Sequence, residues 1–211
     1  MTRVLTRGVK IITPPAEEQI TLAEARLQLS LDDDGDSPPS HPLDSLIADK
    51  ISAAREYCED YLGRSLAQQT VELSLDQFYA SGESSSGAIE LPLPPVISIT
   101  SVIYLDVDGE PITMDEDAYR LDNYSEPAWL FPAYGTTWPA AYAVSNAVKI
   151  RALCGYSLRD DSPETNPLPA KYRQAMMVLM TDMVMNRGEP SEKARQAAEN
   201  LMDLGSVRML V

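Results

Sequence analysis

Histidine, cysteine and phenylalanine are nearly missing from this sequence, which holds one His, two Cys and two Phe in 211 residues. A triad of the Ser/His/Asp or Cys/His kind would have to use that single histidine, His41, and no G-x-S-x-G nucleophile motif accompanies it. Two cysteines, Cys58 and Cys154, do not make a disulfide framework in a chain this long. They read as buried free thiols of a protein made in a reducing cytoplasm. There is no CxxC pair, no HExxH, no phosphate-binding glycine loop and no dinucleotide fingerprint, so no cofactor or metal is expected. No run of about 18 apolar residues occurs, so no membrane-spanning helix is expected. Residues 1–12 lack a long apolar core and a small-residue cleavage site, and no signal peptide is expected. Basic residues are scarce: 17 Lys and Arg stand against 32 Asp and Glu, a net charge of −15. Binding to phosphates needs clustered Lys and Arg, so specific nucleic-acid binding is not expected.

What is present is enough apolar material for a sizeable core, 44% of residues, drawn mainly from Leu, Ile, Val, Ala and nine Met. Thr21 and Glu24 form a capping-box pattern that opens a first helix, ended by the polar stretch Asp32 to Pro39. Leu43, Leu46, Ile47, Ile51, Ala54, Tyr57, Cys58, Tyr61 and Leu62 recur at spacings of three and four. They predict a helix over 43–62, stopped by Gly63. From about 66 the period changes to two. Val71, Leu73 and Leu75 predict a strand, and further strands are expected around Ile97 to Val107, Ile112 to Met114, Tyr119 to Leu121, Trp129 to Phe131 and Val148 to Leu153. Asp108-Gly109 predicts a two-residue hairpin turn with positive φ at both centres. Pro169 opens a third helix that Gly188 and Pro190 end, and Ser191 caps a fourth over 192–204.

The expected class is α+β: an antiparallel bundle of about four helices with a small antiparallel β module inserted in it. Residues 1–20 are expected as an extended arm, 21–64 and 168–205 as the helical body, 65–158 as the β-rich insertion, and 206–211 as a docking tail.

Few residues invite a chemical reading. His41 stands in Ser40-His41-Pro42 and is expected to serve the start of a helix. Asp32, Asp34 and Asp36 begin like a calcium loop, but Ser37 stands at the sixth position and Leu43 at the twelfth, so the pattern fails. Met176, Met177, Met180, Met183 and Met185 make a methionine-rich helix. Most belong to its core stripe, whereas Met177 and Met185 fall off it and point to contact with a neighbour. Met209-Leu210-Val211 is unusually apolar and is expected to dock on a partner.

The order of features resembles the head–tail connector (adaptor) proteins of tailed bacteriophages. The resemblance rests on Ile20 to Leu27, Leu46 to Ala48, Ala53 to Tyr57, Leu62-Gly-Arg64, Leu91-Pro-Leu-Pro-Pro-Val96, Ser98 to Tyr104 with Asp108-Gly109, Tyr134-Gly135, Trp138-Pro139, Val148 to Arg151 with Gly155-Tyr156, Pro169 to Ala175 and Asn186-Arg187. It spans residues 20–188. It implies a structural virion protein with no catalytic residue, standing in a ring of roughly a dozen copies, a dodecamer, by heterologous contacts. Implied partners are the portal protein, neighbouring copies, and the next neck or tail protein, a stopper or tail terminator. DNA would pass through the lumen without specific binding, its phosphates repelled by carboxylates. The expected place is the head–tail interface of the virion, with the host cytoplasm during assembly. On this reading Leu201, Leu204, Val207, Arg208, Met209, Leu210 and Val211 contact the portal. Gly188 and Gly205 act as hinges of a segment that orders only on assembly. A tail-completion or assembly-chaperone protein would share this composition. An enzyme would need a cleft with a perturbed carboxylate pair.

Overall fold

A computed structural model of the chain describes residues 7–31, 40–78, 87–142, 144–158 and 166–203. The described residues make an α+β chain with four α-helices and antiparallel sheets, and it falls into two compact units. One comprises residues 1–16 and 68–155, the other residues 17–67 and 156–211.

The first unit is built of strands: β1 (Arg7–Thr13), β2 (Gln69–Leu75), β3 (Ile89–Glu90), β4 (Val96–Leu105), β5 (Pro111–Thr113), β6 (Tyr119–Asp122), β7 (Trp129–Pro132) and β8 (Val148–Cys154). They form a five-stranded sheet in the order β1-β2-β8-β4-β5 and a three-stranded sheet in the order β3-β7-β6. Alternation dictates which side is buried. Val71, Leu73 and Leu75 of β2 and Val148, Ile150 and Ala152 of β8 face one apolar layer, which Val102, Ile89 and Leu130 share. Phe78 stacks on Trp138 with ring centroids 4.9 Å apart and meets Tyr104 edge-on, closing one side of that layer.

Three expectations for this unit change. The β part is substantial rather than small. Residues 7–13 are a paired strand, not a free arm: β1 runs antiparallel to β2 with Lys10 opposite Glu72. Backbone ladder bonds to β2 hold it, which no local pattern announces. The Asp108-Gly109 turn is longer than two residues and only Gly109 has positive φ, at 87°. The Asp106 carboxylate accepts the N–H groups of Asp108 and Glu110 at 2.9 and 3.0 Å, and this supports a wider loop.

The second unit holds α1 (Leu22–Leu29), α2 (Asp44–Leu62), α3 (Ala170–Asn186) and α4 (Glu192–Asp203). The Thr21–Glu24 capping box is formed in both directions. Gly63 ends α2 at φ 64°. α3 ends one residue earlier than Gly188 suggests, with Arg187 in the left-handed position. The core is Ile47, Ile51, Ala54 and Cys58 from α2 against Tyr172, Met176, Leu179, Met180 and Met183 from α3, with Ala198 and Met202 from α4.

Asp182 on α3 ties down the start of α4. Its carboxylate accepts the Ser191 N–H at 2.7 Å and the Ser191 hydroxyl at 3.0 Å, while Ser191 Oγ accepts the Ala194 N–H at 3.3 Å. The Ser191 N–H bond above all holds the Asp182 carboxyl below its ordinary 3.8. The folded value is depressed, so this stabilisation is present above the ordinary value and is lost as pH falls through the folded one. Asp182→Ala is expected to raise amide exchange across 192–203 about fivefold at neutral pH, the equivalent of ~1 kcal/mol for a lost hydrogen bond. Hydrogen exchange read by mass spectrometry checks this, and unchanged exchange in α4 would refute the tie.

Candidate interaction surfaces

In the helical unit, a polar network is buried around Arg55. Arg55 of α2 is buried, and its guanidinium bonds Glu18 at 3.0 Å and Glu59 at 2.5 Å. Glu59 is buried too and accepts the Leu66 N–H at 2.7 Å. Burial pushes the Glu59 carboxyl up, while the amides after Gly63 and Arg55 pull it back. A second buried cation, Arg26, bonds Asp44 through two nitrogens, at 2.8 and 2.6 Å. Both networks were missed by sequence reasoning, which sees Arg-Glu spacing but not its burial.

His41 serves a helix start, as its position suggests. Its Nδ1 accepts the Leu43 N–H at 3.1 Å, and its own N–H donates to Asp44 at 3.0 Å. Asp32, Asp34 and Asp36 lie outside the described residues. Among the described residues no group of three His, Cys, Asp or Glu side chains could hold a metal ion. Cys58 and Cys154 are buried free thiols, and burial pushes both up to about 12, so neither is a ready nucleophile. No helix among the described residues is long and apolar enough to cross a membrane.

What this unit does offer is surface for packing. Met176, Met180 and Met183 are buried, and Met177 packs half-buried against the core. Met185 is 72% exposed. It lines a groove of about 440 Å³ with Val178, Thr181, Lys193, Ala194 and Ala197, between α3 and α4. Leu27 on α1 is also exposed.

Of the seven residues expected at the portal, Leu201 is half-buried on α4 and packs against the helical core. Leu204, Val207, Arg208, Met209, Leu210 and Val211 lie outside the described residues, as does Gly205. The expectation that α4 orders only on assembly does not match the fold. α4 is packed on its own unit through Ala194, Ala198 and Met202, and Glu199 and Asp203 accept the hydroxyls of Tyr57 at 2.7 Å and Tyr61 at 2.9 Å. Its hydrophobic stripe is satisfied without a partner.

In the β unit, the exposed apolar residues gather on edges and loops. Val9, Ile11 and Ile12 lie on β1, Val107 and Ile112 on the β4–β5 hairpin, and Tyr124 and Tyr134 on loops flanking the β6–β7 pair. The side chains described here can bury area, pair charges and hydrogen-bond.

No family model and no curated protein matches the sequence. Solved structures do match in fold. One chain of the virion of the native gene transfer agent particle aligns at a TM-score of 0.70 and 19% identity, over 96% of this chain and 97% of that one. A chain from the neck of the empty particle, computed with C6 symmetry, aligns at 0.69, and one from the neck of the native particle, computed with C12 symmetry, at 0.65. Both have the same identity and coverage as the first. The sequence resemblance to head–tail connectors and the likeness of fold therefore agree: this chain has the fold of chains found in the neck of a gene transfer agent particle.

Proposed function

We propose that this chain is a structural subunit of the neck of a tailed phage or phage-like particle. In this reading it is an adaptor, repeated in a ring, that joins the portal of the DNA-filled head to the tail and makes or breaks no covalent bond. The observation that carries it is the length of the structural likeness, 96% of this chain and 97% of the neck chain, with one such neck computed in C12 symmetry. A match over both units favours the same kind of place in a particle over the borrowing of one module. The composition agrees with it. At a net charge of −15, a channel lined by this protein would repel DNA phosphates and let the genome slide during ejection. The helical unit would form the ring body, and the portal contact would lie at Leu201, Leu204 and the tail from Val207 to Val211.

Deletion of residues 206–211 tests the portal contact. The truncated chain is expected to stay folded and soluble, with an unchanged thermal melt, and to leave heads and tails unjoined in electron micrographs. If it still completes particles, the contact is elsewhere. Proteomics of finished particles tests the role itself. An adaptor stays in ring stoichiometry, whereas an assembly chaperone leaves.

A further inference from the structure

We propose that copies of this chain join edge to edge, the β1 side of the five-stranded sheet in one copy docking against the β4–β5 hairpin of the next. This rests on the ring reading above and adds, to a ring body formed by the helical unit, a contact between neighbouring copies in the β unit.

The apolar face of that sheet runs out at both ends without cover. Ile11 and Val9 of β1 stand opposite Val71 and Leu73 of β2, which are buried. Directly opposed residues share a face, so Val9 and Ile11 continue the core layer. Yet they are 49% and 46% exposed. At the other end Val148 stands opposite Tyr104, and Tyr104 opposite Ile112 of β5, which is 39% exposed. No described strand pairs with the outer side of β1 or of β5. A seven-residue edge strand with three exposed apolar side chains is the kind of edge that proteins otherwise blunt or pair. β5 is short and begins with Pro111, so side chains rather than a long backbone ladder must carry the contact.

Charge decides which edge meets which. β1, residues 7–13, contains Arg7 and Lys10 and no acidic residue. Residues 105–118 contain Asp106, Asp108, Glu110, Asp115, Glu116 and Asp117 and no basic one. Two β1 edges, or two hairpins, would bring like charges together. Only the β1-to-hairpin pairing brings opposite charges together. That pairing is heterologous, the kind that closes into rings. The occupant of each edge is therefore a second copy of the same chain.

Cysteine cross-linking of the full chain tests this. Cys58 and Cys154 are buried and do not compete. Under mild oxidation, Val9→Cys/Ile112→Cys is expected to give a reducible ladder of multimers. A mixture of the two single variants is expected to stop at dimers. Tyr124→Cys, on a loop residue 99% exposed, is the control, and the ladder should exceed its cross-linking at least tenfold. Ile11→Cys/Ile112→Cys, which also joins residues of the same face, repeats the test should the first pair fold poorly. Asp108→Lys with Glu110→Lys, which puts cations on the exposed hairpin opposite a basic β1, should weaken the ladder. Cross-linking no greater than the control, from both pairs, overturns the proposal. If the chain forms a ring in isolated necks but neither pair cross-links there, this contact is wrong and the ring reading stands. If the ladder forms and finished particles lack the protein, the contact stands and the neck reading falls.

Discussion

Arg55→Ala is expected to cost about 3–5 kcal/mol of stability, the range for breaking a buried ion pair by removing one partner. The guanidinium lies out of water, 3.0 Å from Glu18 and 2.5 Å from Glu59. Its loss leaves the Glu59 carboxylate buried without a cation, holding only backbone N–H groups such as that of Leu66. Burial already pushes that carboxyl up, so the stranded charge must take a proton or drag water in. In a chain of this size each kcal/mol moves the melting temperature by about 2–4 °C, so a fall of roughly 10 °C is expected. Arg55→Lys keeps the charge but loses the planar fork, and should fall between. Glu56 provides the contrast. It meets the same guanidinium at 3.6 Å but is exposed, so Glu56→Ala should stay within about 0.5 kcal/mol. Chemical denaturation of the three variants checks the order. A cost under about 1 kcal/mol for Arg55→Ala would mean that solvent already reaches the site.

That network shows where reading the sequence stops. Arg55 and Glu59 are four residues apart on a helix, which on paper is an ordinary surface pair. What completes the network is Glu18, from a segment far upstream, and the turn after Gly63 that brings the Leu66 N–H onto Glu59. Neither has a local signature. The helices themselves were legible because their ends carry chemistry: Thr21 with Glu24, Gly63, and Ser191. Arg187 was not, since Gly188 is the better left-handed residue by type but not the one the chain uses.

β1 was illegible for a related reason. Its residues are exposed on both faces, so no period of two marks it, and its partner β2 lies some sixty positions away in register. The candidate surfaces divide the same way. Met185 could be seen to leave the core stripe, because a helix repeats every 3.6 residues. The uncovered ends of the β sheet could not, because which strand stands at an edge is a property of topology.

The methionines of α3 allow that helix period to be tested directly. Met180→Ala is expected to cost about 2–5 kcal/mol, and Met185→Ala less than about 0.5 kcal/mol in the isolated chain. Both are Met, five residues apart on one helix, so propensity and chemistry cancel and burial alone differs. Met180 packs fully buried in the core of the helical unit, and truncating it leaves a cavity that close-packed neighbours fill only in part. Met185 has most of its surface in water and little to lose. Mild peroxide should sort them in the same order, converting Met185 to its sulfoxide well before Met180, because reaction needs access to sulfur. Peptide mass spectrometry of the native protein reads both positions at once. In assembled particles the rank should change if α3 meets a neighbour: Met185 would then be protected, and Met185→Asp would impair joining while leaving the melt of the free chain unaltered. Equal oxidation of Met185 in free chain and particle would mean that this face of α3 stays in solvent and that the neighbour lies elsewhere.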